Sequence, residues 1–210
     1  MINILVADDH AIVRAGLKQY VSDSKDMTVL GEACNGEETL NKALKNEYDV
    51  VVLDITMPDI NGLDILKQLK TQKPQLKILV LTMHPEEQYA MRVFKAGASG
   101  YLTKESAPQE LISAIRKVAS GGKYVSPSLA EKLASYFEEN LGKPLYQKLS
   151  DREYQVMCMI ASGKRLRDIA KELTLSVKTV SSYRSRILQK LNIKSNAELI
   201  RYAVDNKMVY

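Results

Sequence analysis

Three aspartates, a threonine and a lysine in the first half of this sequence have the types and spacing to handle a phosphoryl group: Asp8, Asp9, Asp54, Thr82 and Lys104. Each stands at the end of a short apolar run or just past it. Carboxylates at close quarters repel one another and need a cation, and hard Mg2+ prefers such oxygen ligands and also recruits phosphate oxygens. The ammonium of Lys104 and the hydroxyl of Thr82 would complete a phosphoryl-binding site around Asp54. Aspartyl phosphate is an established covalent species, so Asp54 makes chemical sense as a nucleophile. Taken alone, Asp54 has a plainer reading, an Asp that closes a strand and opens a turn. The set is what lends it chemistry.

The elements that must position this set alternate. Val50 to Asp54 is a near-continuous β-branched run, the pattern of a strand buried on both faces of a parallel sheet. Asn3 to Ala7, Thr28 to Ala33, Lys77 to Thr82 and Gly100 to Leu102 supply four more strands. Between them lie helical stripes: Val13, Leu17 and Val21; Leu40 and Leu44 after Gly36-Glu37-Glu38; Leu66 and Leu69 after Asn61-Gly62; Tyr89, Val93 and Phe94 before Gly97. Ser106-Ala107-Pro108-Gln109 resembles a capping box and opens a helix carrying Leu111, Ile115 and Val118. Five strand-helix pairs predict an α/β fold, a doubly wound parallel sheet covered on both faces, whose ligand crevice lies at the carboxyl ends of the strands.

The second half differs in charge and in period. Residues 1–120 carry 14 Lys/Arg against 16 Asp/Glu, residues 121–150 carry 4 against 3, and residues 151–210 carry 12 against 6. An acidic first part joined to a basic last part points to two domains, the second facing a polyanion. Residues 121–148 read as a partly helical tether: Gly121-Gly122 closes the α/β half, Ser126-Pro127-Ser128 starts a helix striped by Leu129, Leu133 and Phe137, and Gly142-Lys143-Pro144 breaks it. Residues 149–210 hold four short helices, a smaller all-α domain. Capping boxes at Ser150-Asp151-Arg152-Glu153 and Ser195-Asn196-Ala197-Glu198 open the first and last, Arg167 to Leu173 forms the second, and Ser176 caps the third, Val177 to Leu191. Four helices in this length suit a helix-turn-helix module.

A helical wheel sorts Val177 to Leu191 into an apolar side, with Val180, Tyr183, Ile187, Leu188 and Leu191, and a polar side, with Lys178, Ser181, Ser182, Ser185 and Gln189. The polar side would face DNA. Arg184 falls near the apolar side, where its stem can pack while its guanidinium reaches a phosphate, and Arg186 and Lys190 lie at the flank, suited to backbone contacts. Thr179 completes the set of candidate DNA contacts. An ordinary amphipathic core helix with a solvated basic face would show the same wheel.

As a set, Asp8-Asp9-His10, Leu53-Asp54 with Met57-Pro58 and Gly62, Thr82, and Gly100-Tyr101-Leu102-Thr103-Lys104 closely resemble the receiver domain of two-component response regulators. The resemblance covers residues 1 to about 120. It implies the flavodoxin-like strand order 2-1-3-4-5 and Asp54 as phosphoacceptor from a sensor histidine kinase. It also implies Mg2+ held by Asp9, Asp54 and the Thr56 carbonyl, with Asp8 reaching it through water, Lys104 on the phosphoryl group, and Thr82 and Tyr101 as a switch pair. Leu149-Ser150-x-Arg152-Glu153, Ile169-Ala170, Lys178-Thr179-Val180 and Ile187-x-x-Lys190-Leu191 resemble the LuxR-type DNA-binding domain, and the order of the two is similar to the NarL/FixJ family. Tyr183, where many members of that family carry His, and the basic Lys164-Arg165-Leu166-Arg167 depart from its pattern.

The sequence shows no apolar span of about 20 residues and no signal-peptide pattern at Met1 to Val6, and Cys34 and Cys158 are too few and too far apart for a disulfide framework or a zinc site. Both cysteines are expected to be buried thiols in a cytoplasmic protein. The expected function is phosphorylation-dependent regulation of transcription through promoter DNA, as a homodimer when phosphorylated and without membrane contact. It is not expected to be a turnover enzyme. Two rivals share part of the pattern: a Mg2+-dependent phosphohydrolase, against which stands Thr56 where a second carboxylate would be needed, and a constitutive DNA-binding protein with a vestigial acidic pocket.

Overall fold

In the computed structural model the chain separates into two compact units, Met1–Leu133 and Ala134–Tyr210. The structure describes residues 1–127, 129, 130, 145–206 and 208. The first unit runs β1 (Ile2–Ala7), α1 (Ala11–Ser22), β2 (Met27–Ala33), α2 (Gly36–Lys45), β3 (Val50–Leu53), α3 (Gly62–Gln72), β4 (Lys77–Thr82), α4 (Glu86–Lys95), β5 (Gly100–Thr103) and α5 (Ala107–Ala119). All pairings are parallel and the strand order is β2-β1-β3-β4-β5, as expected. The order changes direction between β1 and β3, so the loops after these two strands open side by side.

Strand alternation divides the core. Ile4, Val6, Val50, Val52, Leu79 and Leu81 face one way, onto Leu17 and Val21 of α1 and Leu111, Ile115 and Val118 of α5. The residues between them, such as Leu5, Val51, Leu53, Ile78 and Val80, are equally buried on the side covered by α2, α3 and α4. Burial on both faces is why β3 reads as an unbroken apolar run.

Several local expectations are corrected. In α2 the buried face is Thr39 and Ala43, while Leu40 and Leu44 are only half-buried. No capping box forms at Ser106: its backbone is helical, its hydroxyl donates to the Thr103 carbonyl at 3.2 Å, and Pro108 offers no N–H to cap. Cys34 is exposed at the β2–α2 turn, whereas Cys158 is buried. Beyond α5 the chain returns to the sheet, where Tyr124 forms a parallel bridge with Gly100. Tyr124 accepts the Tyr101 N–H at 3.2 Å and donates its own to Ser99 at 2.9 Å. Ser126 then starts a helical turn, its Oγ accepting the Leu129 N–H at 3.1 Å; Leu133, Phe137 and Gly142-Lys143-Pro144 lie outside the described residues.

The second unit holds a short 3-10 turn (Leu145–Lys148) and four helices, α6 (Asp151–Ala161), α7 (Leu166–Glu172), α8 (Val177–Leu191) and α9 (Asn196–Asp205). The Ser150 capping box is complete, with Ser150 Oγ on the Glu153 N–H and the Glu153 carboxylate on the Ser150 N–H. At Ser195 only half of a box forms, because the Glu198 carboxylate takes the Lys194 N–H instead. The α7–α8 turn passes through Thr174 at φ 53° and ends on Ser176, whose Oγ accepts the Thr179 N–H at 3.0 Å. Among the described residues no helix is long and apolar enough to cross a membrane.

Candidate functional site

The parallel ladder delivers the acidic residues. The Asp8 N–H bonds the Ala33 carbonyl and the Asp54 N–H bonds the Ala7 carbonyl, so each aspartate continues its strand one step beyond the sheet. Lys104 does the same after β5, its N–H on the Thr82 carbonyl at 2.8 Å. Asp8 and Asp54 are 1% and 2% exposed, Asp9 is half-buried, and one ligand atom from each of Asp8, Asp9, His10 and Asp54 lies within 4.8 Å of the others. Such a cluster is able to hold a metal ion.

The two buried carboxylates are used alike. One oxygen of each is held by its own loop: Asp8 Oδ1 accepts the His10 N–H at 2.8 Å and Asp54 Oδ1 accepts the Thr56 N–H at 2.9 Å. The other oxygen turns to Lys104, whose Nζ is 2.6 Å from both Asp8 Oδ2 and Asp54 Oδ2. Burial pushes the Asp54 carboxyl above its ordinary range, against the pull of the Lys104 ammonium. Burial works against the Lys104 ammonium too, but Asp54 and Asp8 outweigh it and hold that group charged above its ordinary range. The Lys104 ammonium thus offsets the charge of the two buried carboxylates.

Thr82 and Tyr101 stand one strand apart. Thr82 is fully buried, its Oγ1 3.4 Å from Thr56 Oγ1 and accepting the His84 N–H at 3.3 Å. Tyr101 is not the sheet-edge aromatic its position would allow: its ring is fully buried and its Oη donates to the His84 carbonyl at 2.8 Å. The hydroxyl of one and the phenol of the other therefore both bond the β4–α4 loop.

On α8, Val180, Ile187 and Leu191 are buried and Tyr183 and Leu188 half-buried, which is the side the wheel assigned inward. Lys178, Ser182, Ser185 and Arg186 are exposed, and Ser181 is half-buried. Several hydroxyls on this face are already engaged. Ser182 and Ser185 donate to the carbonyls four residues back at 3.0 and 3.1 Å, and Thr179 Oγ1 is 2.7 Å from the capping Ser176 hydroxyl. These side chains can still accept a hydrogen bond. Arg184 is half-buried and its Nε donates to Asn196 Oδ1 at 2.6 Å, leaving the Nη end as its reach.

Lys190 differs from the other candidates. Its ammonium is 2.6 Å from Glu153 Oε2 on the α6 cap, while the side chain stays exposed on the flank. Burial alone would push the Glu153 carboxyl up, but Lys190 and the Ser150 amide outweigh it and hold it below its ordinary range. A carboxylate held low stabilises the fold above its unfolded pKa and loses that contribution as pH falls through the folded value. Lys190→Met is therefore expected to cost about 1–2 kcal/mol at pH 7, discounted because the lysine is half exposed, and nearly nothing once the pH is below the depressed Glu153 value. Urea melts of the two proteins at both pH values check this.

Three contacts have no signal in local spacing. Arg14 of α1 donates from Nη1 to the Asp8 carbonyl at 2.8 Å, Asp59 bonds the first turn of α2, and Glu153 holds Lys190. Of these residues, Glu153 alone has a legible role in the sequence, as part of the Ser150 capping box.

Comparison with known proteins then gives the family. Residues 4–116 match the response regulator receiver domain, and residues 147–203 match the bacterial regulatory proteins of the luxR family. The chain is similar to the response regulator UvrY of Escherichia coli K12, 42% identical over 205 residues, 97% of this chain and 94% of that one. It is similar to the response regulator GacA of Pseudomonas aeruginosa, 40% identical over 210 residues, 100% and 98% of the two chains. Among solved structures it resembles RcsB of Salmonella enterica serovar Typhimurium bound to promoter rprA with the phosphomimetic BeF3−, at TM-score 0.65 and 27% identity over 97% and 99% of the chains. It also resembles two RcsB dimers bound to two parallel DNAs, at TM-score 0.60 and 28% identity over 97% and 98%. With both family models matched in this order along one chain, the protein belongs to the NarL/FixJ family of response regulators, a receiver domain followed by a LuxR-type helix-turn-helix domain.

Proposed function

We propose that this chain is a transcription regulator switched by phosphorylation of Asp54, with residues 1–120 as receiver, 121–148 as linker and 149–210 as the DNA-binding domain. The observation that carries the reading is the Lys104 ammonium at 2.6 Å from both buried carboxylates, beside the acidic cluster. Its partners are a sensor histidine kinase and double-stranded promoter DNA, which puts it in the cytoplasm. The RcsB dimers on DNA, and the RcsB bound to promoter rprA with the phosphomimetic BeF3−, support a phosphorylated homodimer as the binding species.

In the transfer, a carboxylate oxygen of Asp54 bonds the phosphorus of the donor while the bond to the donor's imidazole nitrogen breaks and its electron pair stays on that ring. Lys104 follows the new phosphoryl oxygens, a charge-assisted contact. The residues fit Mg2+, since the acidic cluster offers hard oxygen donors: Asp9, Asp54 and the Thr56 carbonyl would hold it, and Asp8 would reach it through water. When bound, Mg2+ supplies neutralisation of the charge gathered on carboxylates and phosphoryl group. The added charge and acceptor oxygens draw the Thr82 hydroxyl, and the β4–α4 loop that it shares with Tyr101 rearranges. On α8, Lys178, Ser181, Ser182, Ser185 and Arg186 form the DNA face, with Arg184 and Thr179 at its border. Lys190, exposed and paired with Glu153, stands at its flank for backbone contact. The chain accepts one phosphoryl group and loses it slowly, without turning over a substrate.

The test is intact mass and promoter binding on the same samples. After acetyl phosphate and Mg2+, the protein is expected to gain about 80 Da as a base-labile acyl phosphate, and to bind promoter DNA more tightly than the untreated protein. Equal binding by the two forms would sink the coupling. Free phosphate released without an adduct would favour a phosphohydrolase.

A further inference from the structure

We propose that Asp59 is a positioning residue of the phosphorylation pocket: its carboxylate clamps the loop after Asp54 to the first turn of α2. The clamp is read from geometry alone; its consequence for metal and phosphoryl binding rests on the reading above.

The loop from Asp54 to Asn61 carries both Asp54 and Thr56. Its inner side is anchored by Ile55 and Met57, which are buried, and its outer side, residues 58–60, is half-buried to exposed. Asp59 is the polar tie on that outer side. Its two oxygens accept the Gly36 N–H at 2.9 and 2.8 Å, and Oδ2 also accepts the Glu37 N–H at 3.1 Å. These are helix-start donors with no intrahelical partner, and a carboxylate there also meets the positive end of the helix dipole.

The helix does not need Asp59 to begin. Asn35 already caps it, with Oδ1 on the Glu38 N–H at 2.8 Å and its carbonyl on the Thr39 N–H at 3.0 Å. What Asp59 adds is a link between two segments 23 residues apart in sequence. The approach is close: a Cβ on Gly36 would meet Ile60 Cβ and Ile65 Cδ1 at 2.8 Å and Asp59 Oδ2 at 3.2 Å. Because the Thr56 N–H fixes Asp54 Oδ1, the path of this loop sets the orientation of the acceptor carboxylate. Freed from α2, the loop would present Asp54 and the Thr56 carbonyl in a spread of positions.

Asn35 provides the control, since Asn35→Ala weakens the same helix start without touching the loop. Full-length wild type, Asp59→Ala, Asp59→Asn and Asn35→Ala are compared by hydrogen exchange without metal and by calorimetric titration with Mg2+. Asp59→Ala is expected to speed exchange in both residues 54–62 and residues 35–40, and to weaken Mg2+ binding about tenfold, the low end for partners that orient metal ligands. Asp59→Asn, which keeps an acceptor oxygen, should retain most of both. Asn35→Ala should speed exchange in 35–40 only, with Mg2+ binding unchanged. Wild-type exchange in the loop of Asp59→Ala, or equal weakening of Mg2+ binding by Asn35→Ala, would overturn the assignment. If wild type itself binds no Mg2+, the phosphorylation reading fails while the exchange data still decide the clamp.

Discussion

Asp54→Asn is expected to take up no phosphoryl group from acetyl phosphate and Mg2+ under conditions in which the wild type gains about 80 Da. The amide has no nucleophilic oxygen of comparable charge, and it gives Lys104 a weaker acceptor in place of the carboxylate 2.6 Å away. The same substitution should make the metal-free protein more stable at neutral pH. Burial holds the Asp54 carboxyl above its ordinary range in spite of Lys104, so keeping it ionised in the folded state costs stability. The melting temperature of Asp54→Asn in chelator should therefore exceed that of wild type. Mg2+ should reverse the order, because a ligand that binds only the folded wild type adds about 2.7 kcal/mol at a hundredfold excess over its Kd. An adduct that persists in Asp54→Asn would move the acceptor to another carboxylate. A lower melting temperature in chelator would mean that the Lys104 contact outweighs the burial.

Gly62→Ala is expected to damage fold and site together. Gly62 is buried at the start of α3 with its N–H on the Ile55 carbonyl. A Cβ there would overlap Ile55 Cα and stand 2.8 Å from the Asp54 carbonyl oxygen and 3.0 Å from Ile55 C. These are backbone atoms of the loop that carries the acceptor and cannot rotate away as a side-chain tip would. The cost should be about 3 kcal/mol or more, at the upper end for overpacking. Any relaxation would displace Asp54. Gly16→Ala is the matched comparison: it lies in α1 with nothing within 4 Å of the added carbon and should stabilise by roughly 0.5–1 kcal/mol. Urea unfolding of the full chains should show the receiver transition moving in opposite directions for the two. A Gly62→Ala protein with wild-type stability and Mg2+ binding would show that the α3 start is looser than this packing implies.

Much of the architecture could be read from local pattern. Val50 to Leu53 is apolar at every position because β3 is covered on both faces, and Ser150 and Glu153 cap α6 because caps depend on residues three apart. Pattern failed where a local rule had a competitor. Ser106 has the spacing of a capping box, yet its hydroxyl finds the Thr103 carbonyl first and Pro108 removes one of the donors. Leu40 and Leu44 looked like the inward stripe of α2, but its register on the sheet turns Thr39 and Ala43 inward. Cys34 was expected inside on residue type, and its place in the β2–α2 turn decided otherwise.

By itself the sequence determined the strand ends at which Asp8, Asp54, Thr82 and Lys104 occur, and the face of α8 that is polar, because period and termination are properties of neighbouring residues. Only the tertiary structure decided who meets whom. Lys104 reaches Asp54, Asp59 reaches back to Gly36, and Lys190 pairs with Glu153, at separations of 50, 23 and 37 residues. Such pairings follow from strand order and helix packing, which bring distant segments within hydrogen-bond range and leave no trace in local spacing.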